Sequence, residues 1–506
     1  MNVMKKIHIP FIWSLFLAFS LTFSCSEDFI TLEPKGQFLS GNYYANRDQA
    51  YTGLVAVYDV LRKNAGGFEN MITMMNAGSD DHYAGGGGPT DGVGIQGFSN
   101  FTLNPNIIPA SFWGDHYQGI FRANTLLQKL PEVEMDAAEK ARFVAEAKAL
   151  RATYYFNLVR MFRNIPLILE PLSTGDIYNI TQADPAAVYS QIEADLNEAI
   201  PDLPPTVNLA TEAGRFSRGA AQAMLGKVYL YNQKNSEAAN MLAQVNGPTP
   251  GEPNQYGNYL LPNFSDLWVF TNKFNPESIL ECVHTDQSNA DWGFWGSSAD
   301  EGNSVNQMVG PRSYQRKGPQ APDIPSGWSF NVWTPEFYEI IKDDPRASAT
   351  VLNMNELVEA GQADYIAGYQ NTGYFLNKYI PRSSDIRTGG GAVELNFQQN
   401  AYIIRLADCY LMEAEALGAT GSRAQALLDA VRARVGLPSV PVSMAAIKLE
   451  RRKELAGEGH RFFDLVRWGD AAERLADRGF QAGKHEIFPI PAQELQGTEL
   501  IQNPNY

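Results

Sequence analysis

The chain has 506 residues, 44% of them hydrophobic, and its 56 acidic against 40 basic side chains give a formal charge of −16. So acidic a body repels phosphate backbones, which argues against nucleic-acid binding, and three cysteines exclude a disulfide framework. The length admits two or three domains, or one large helical one.

The first element is a leader. Lys5 and Lys6 precede an apolar run from Ile9 to Phe23, interrupted by Pro10, Ser14, Ser20 and Thr22. A basic start and a short apolar run read as a secretory signal rather than a membrane span. Cys25 comes just after the run, behind Ser24, and Ser26-Glu27-Asp28 follow it, so the segment resembles a bacterial lipoprotein signal whose thiol takes up lipid and becomes the mature N-terminus. The alternative is ordinary cleavage near Ser24 with an unmodified Cys25. Residues 1–24 are the predicted signal peptide; their removal takes two lysines and no acid, moving the charge from −16 to −18. No other run approaches membrane-spanning length. If Cys25 is lipidated, Cys282 and Cys409 are left in apolar surroundings as buried thiols.

After a tether over 25–46, a helix fits Arg47 to Arg62, where Tyr51, Leu54, Tyr58 and Leu61 recur at helical spacing. Periodicity stops over 76–110, a stretch with Gly85 to Gly88 that reads as a long ligand-side loop. It returns from Phe112 to Phe162, with Phe143, Ala147, Leu150, Tyr154, Leu158 and Met161 on one stripe, and Pro166 ends it. Another helix fits Pro185 to Ile200. Leu225-Gly226 with Tyr229, then Ala238, Leu242 and Pro250, follow the tetratricopeptide spacing, with Gln222 and Leu242 as departures. Leu406-Ala407, Tyr410, Ala424 and Leu428 make a looser copy. These elements define a mainly α fold: a helical scaffold of tetratricopeptide-like pairs over 47–246, an irregular aromatic-rich lobe over 247–399 and C-terminal helices over 400–506. Within the lobe, a helix at Pro335 to Lys342 and a strand at Ser278 to Val283 are predicted.

Catalytic and metal motifs are weak. Asp80-Asp81-His82 with Asp91 lacks the spacing of a calcium loop; no HExxH, paired CxxC or histidine cluster supports zinc; Gly85 to Gly88 lacks the Gly-Lys-Ser/Thr of a P-loop. Nothing singles out a pair of glycosidase carboxylates, and no cofactor is predicted. The lobe is different. Trp292, Phe294, Trp295, Tyr314, Trp328, Phe330 and Trp333 cluster among Asn, Ser, Gly and Asp. Aromatic faces pack on the C–H faces of sugar rings while polar neighbours take the hydroxyls; the competing reading is a satellite core under a long loop. Trp333, next to the helix start at Thr334-Pro335, reads as packing.

The segment from Ile447 through Glu450-Arg451-Arg452, Glu454, Glu458, His460-Arg461-Phe462-Phe463-Asp464 to Trp468-Gly469 resembles the signature helix of the SusD/RagB family of outer-membrane nutrient-binding lipoproteins of Bacteroidetes. Trp113, Tyr117, Ile120 and Ala123-Asn124, the run Ala147 to Ala152, Asn164 to Leu167, Asp344-Pro345-Arg346, Ala414-Glu415-Ala416, Phe488 to Pro491 and Gln502 to Tyr506 agree with it. Charges along the signature read as ion pairs that fix helix docking rather than as acid/base chemistry. The resemblance implies a non-catalytic lipoprotein anchored through Cys25 on the outer face of the outer membrane. It implies capture of a glycan or oligosaccharide and its delivery to a SusC-type TonB-dependent transporter, over which the protein closes as a hinged lid, with the helical face as transporter contact. By position, the ligand contacts it implies are Asp80, Asp81 and Tyr83 in the first loop and Trp292, Trp295, Tyr314 and Trp328 in the lobe. An oligopeptide ligand, as in the RagB branch, a lid without affinity of its own and a surface hydrolase are the alternatives.

Overall fold

The computed structural model describes residues 44–173, 175–295 and 300–506; the leader, Cys25 and the tether up to residue 43 lie outside them. The described chain is mainly helical. It opens with α1 (Arg47–Tyr58), capped by Asn46, whose side chain accepts from the Gln49 N–H at 3.1 Å. The region predicted as one long loop holds structure of its own: α2 (Met71–Ala77) runs into its start and α3 (Val93–Ser99) lies within it.

The periodic stretch from Phe112 to Phe162 is two helices, α4 (Ser111–Lys129) and α5 (Ala137–Phe162). Leu130-Pro131-Glu132 makes a tight turn between them, and Asp136 caps α5 by accepting from the Glu139 N–H at 2.9 Å. The predicted stripe of α5 is buried throughout. Then come α6 (Pro185–Ala199), α7 (Arg218–Tyr231) and α8 (Asn235–Asn246), each packed on the one before. A Cβ on Gly226 of α7 would sit 2.6 Å from Leu242 Cγ of α8, so the small residue is what lets the two helices cross closely.

From α8 the scaffold continues into α10 (Leu406–Ala416) and α11 (Gly421–Arg434), which pack in turn. Asn246 ties the junction, donating to Cys409 O at 3.0 Å and Glu413 Oε2 at 2.7 Å. The lobe is therefore an insertion between neighbouring helices. It contains α9 (Pro335–Ile341) and takes part in three two-stranded antiparallel sheets. β1 (Ser278–Cys282) pairs with β6 (Ala401–Arg405), β2 (Arg312–Arg316) with β4 (Ala363–Ile366), and β3 (Val351–Asn353) with β5 (Tyr374–Leu376). One apolar core runs from Ala50 to Ile490, and a smaller cluster lies between α10 and α11.

The signature segment is two helices rather than one: α12 (Met444–Glu454) and α13 (Arg461–Trp468). Gly457 and Gly459 turn the chain between them with φ of 75° and 80°, a region that favours glycine. Its charges do fix docking. Arg346 reaches Asp344, Glu450 and Glu454 at 2.7–2.8 Å. Arg405 reaches Glu277, Glu454 and Glu458 at 2.6–2.9 Å, and Lys378 reaches Glu458 at 2.8 Å. All of these side chains are shut off from solvent, so removing one partner strands the others. Cys282 and Cys409 are free, buried thiols. No helix among the described residues is long and apolar enough to cross a membrane.

Candidate ligand-binding site

The loop after α2 runs back along the lobe. Tyr83 N donates to Val332 O at 3.0 Å, Asn331 N to Ala84 O at 2.9 Å, and Gly86 N to Ser329 O at 2.8 Å. His82 thereby faces Trp333, and Gly85 faces Phe330, in antiparallel register. A Cβ on Gly85, whose φ is +69°, would lie 2.2 Å from Ser329 O; only glycine permits this approach. Ser329 and Asn331 themselves have φ of 62° and 52°, which for side chains other than glycine is strained and marks a shaped segment.

Beside this ladder three tryptophans converge. Trp292 and Trp328 stack with centroids 5.9 Å apart and planes at 29°. Trp295 stands edge-on to both, at 5.6 Å and 5.5 Å. Phe68 meets Trp295 and Phe330 edge-on behind them, at 5.6 Å and 5.2 Å. Trp295 Nε1 donates to Ser304 Oγ at 3.1 Å, and Arg312 Nη1 donates to Trp328 O at 2.8 Å. Trp292 is 51% exposed, which is uncommon for so large an apolar side chain, while Trp295 and Trp328 are half-buried. Polar groups flank the rings. Arg312 also lies 3.8 Å from Asp91, which accepts from Gly87 N at 2.6 Å. Three residues before Trp292, Asn289 accepts from Arg387 at 2.7 Å. An exposed indole backed by two fixed ones, with donors and acceptors at the edge, is suited to a sugar ring with apolar faces and equatorial hydroxyls.

The other expected contacts are placed elsewhere. Asp80 and Asp81 are buried, and the expectation that they meet ligand is corrected: both are committed to arginines of the C-terminal helices. Asp80 accepts from Arg461 at 2.7 and 2.9 Å and from Arg474 at 3.0 Å; Asp81 accepts from Arg452 at 2.7 Å. Burial pushes the Asp80 carboxyl up, but hydrogen bonding to Arg461 and the charges of Arg452 and Arg474 outweigh it and hold the group well below the usual range. Asp81 is raised, because burial and the charge of Asp80 prevail over Arg452. Tyr83 is half-buried with the Arg478 guanidinium 4.9 Å from its ring centroid, and it anchors the ladder. Tyr314 is half-buried and donates to Pro322 O at 2.6 Å; among the described residues no ring contact joins it to the tryptophans. Trp333 is fully buried, stacked between His82 and Phe337 at 3.8 and 4.1 Å. Phe68, Asn289, Arg312 and Arg387 carried no periodic or motif signal that marked them in advance.

Cys282 Sγ lies 3.3 Å from His284 Nε2, but burial pushes the thiol well up and the imidazole down to about 4, so both stay neutral. Among the described residues no group of three or more His, Cys, Asp or Glu side chains is placed to hold a metal ion.

Fold and site thus define a binding protein: stacked helix pairs carrying a lobe that presents an aromatic platform. Family models agree, one described as the SusD family over residues 327–486 and one as starch-binding, associating with the outer membrane, over residues 96–230. A laminarin-binding SusD-like protein of known structure is 63% identical with a TM-score of 0.91, over 92% of this chain and 100% of that one. Surface glycan-binding protein A from Bacteroides thetaiotaomicron, solved with laminarihexaose, is 25% identical with a TM-score of 0.79, over 91% of this chain and 100% of that one. SusD-like protein P25 of Formosa agariphila is 25% identical, with 96% of each chain covered. The chain belongs to the SusD family.

Proposed function

We propose that this protein captures a laminarin-type glucan at the cell surface, without catalysis, and hands it to a TonB-dependent outer-membrane transporter. The observation that carries the ligand is the 63% identity to a laminarin-binding relative over nearly the whole described chain. The Trp292, Trp295 and Trp328 platform is its physical counterpart: a neutral polymer offers no charge to pair, so affinity comes from ring faces packed on indoles with hydroxyls bonded at the rim. Lipid on Cys25 holds the protein to the outer membrane, and closure over the transporter commits the ligand. The helical face is the transporter side of this lid.

Titrating the chain lacking residues 1–25 with laminarin oligosaccharides, starch oligosaccharides, charged glycans and peptides tests the ligand. The expected result is that laminarin oligosaccharides raise the melting temperature and give saturable heat. A response to peptides alone sinks the glycan reading, and a response to starch but not laminarin sinks the choice of glucan. Copurification of a TonB-dependent barrel with the full-length protein tests the partner.

A further inference from the structure

An open cleft of about 420 Å³ lies on the lobe among four short helical turns, Phe264–Trp268, Ala347–Thr350, Asn377–Tyr379 and Ser383–Asp385. Its base is apolar: Trp268 and Ile380 are buried, and Val269 beside them is 50% exposed. The Trp268 indole is fixed from within the lobe. Lys378 Nζ stands 4.5 Å from its ring centroid, and Tyr379 and Tyr402 meet it edge-on at 5.8 and 5.7 Å. Its buried Nε1–H has no acceptor in the protein.

The rim of the cleft is polar and carries one charge of each sign, Arg382 and Asp385. Arg382 N donates to Asp385 Oδ2 at 2.7 Å, while the exposed guanidinium reaches Asn377 Oδ1 and Ile380 O only at 3.3 and 3.4 Å. Asn377 in turn donates to Ser348 O at 2.8 Å. Among the described residues the Asp385 carboxylate takes no other hydrogen bond, and the hydroxyls of Ser348 and Ser384 make none. A rim of guanidinium, carboxylate, amide and hydroxyls over an apolar base suits an uncharged polyol, whose hydroxyls both donate and accept. A cation would be opposed by Arg382, and an anion by Asp385.

One loop joins this cleft to the tryptophan platform. Arg382 and Asp385 line the cleft, and Arg387, two residues on, donates to Asn289, three residues before Trp292. From Arg382 to Arg387 an extended chain spans at most about 18 Å, so a single polymer chain can touch both places.

We propose that the cleft is a second carbohydrate subsite, taking another stretch of the neutral glucan that the tryptophans hold. This rests on the glucan reading above and extends it: two contacts on one chain give a polymer affinity above that of either alone. Arg382 donates to, and Asp385 accepts from, neighbouring hydroxyls of a sugar ring whose apolar face lies on Val269 and Trp268.

Crystals of the chain lacking residues 1–25, soaked with a laminarin hexasaccharide, test this together with calorimetry. The expected result is sugar density both at the tryptophans and in the cleft. Arg382→Ala and Val269→Asp, both at exposed positions, are expected to weaken binding of long laminarin on the order of ten-fold. Affinity for a laminarin trisaccharide, which the tighter tryptophan site dominates, stays within about two-fold. Sugar at the tryptophans alone, or long-chain affinity unchanged in both variants, overturns this inference and leaves the proposed function standing. Sugar at neither place, with no calorimetric response, overturns both. Should either variant melt well below the unmodified protein, the density decides alone.

Discussion

At the scale of single residues, the platform separates two kinds of tryptophan. Trp292 is exposed and, among the described residues, its ring contacts are with Trp295 and Trp328, so Trp292→Ala is expected to remove proposed ligand surface with little effect on stability. It costs about 1–2 kcal/mol of binding, roughly a ten-fold rise in Kd for laminarin oligosaccharides by calorimetry. Trp295 bonds Ser304 and packs on Phe68, so Trp295→Ala lowers both affinity and melting temperature. The carboxylates behave oppositely to a binding site. Asp80→Asn strands Arg452, Arg461 and Arg474 and costs about 3–5 kcal/mol in denaturant unfolding, whereas Asp81→Asn costs less, because burial and the charge of Asp80 raise that carboxyl and offset part of what its pairing with Arg452 contributes. The pH dependence follows. Asp80 is held well down, and Asp464, raised by burial but lowered further by Arg451 and Arg467, sits at about 2. Their contribution is complete above the unfolded value of about 4 and is lost as pH falls toward 2. Melting curves between pH 6 and pH 3 are expected to show stability falling below about pH 4, with a smaller fall in Asp80→Asn.

At the scale of elements, glycines set two close approaches. Gly226→Ala drives a methyl into Leu242 and forces α7 from α8, an overpacking cost of about 1–3 kcal/mol in unfolding experiments. Gly85→Ala collides with Ser329 O in a backbone conformation that disfavours alanine. It loosens the ladder next to Trp328, so laminarin affinity should fall by more than the melting temperature accounts for. The first of these contacts was legible in the sequence, because the spacing of Leu225-Gly226, Tyr229, Ala238 and Leu242 encodes a local helix pair. So was the buried stripe of α5, and so was the gathering of Trp292, Trp295 and Trp328, which lie close in the chain. The ladder was not: residues 82–86 show no alternation, and their partners come some 250 residues later. Nor were the partners of Asp80 and Asp81, since Arg452 lies 371 residues beyond Asp81 and nothing local tells a buried acid from an exposed one. The signature read as one helix because its charges keep helical spacing across the turn at Gly457 and Gly459.

At the scale of the whole molecule, the charge lattice joins three separated stretches: the lobe through Asp344, Arg346 and Lys378, β6 through Arg405, and α12 through Glu450 and Glu454. With anchoring proposed at Cys25 and binding proposed in the lobe, the two functions should separate. Cys25→Ala is expected to move the protein out of the membrane fraction while leaving its laminarin affinity within two-fold, as cell fractionation and calorimetry on the same preparation would show; retention in the membrane would place the anchor elsewhere. The insertion of the lobe between α8 and α10, whose ends Asn246 holds together, has an evolutionary consequence. A segment that leaves and rejoins its host at adjacent points can lengthen, shorten or be swapped as a cassette without re-threading the helices. Selection for a new diet can therefore rewrite the tryptophan-bearing turns while the arginine and glutamate roots beneath them stay fixed, and one scaffold can be inherited by receptors for many polymers.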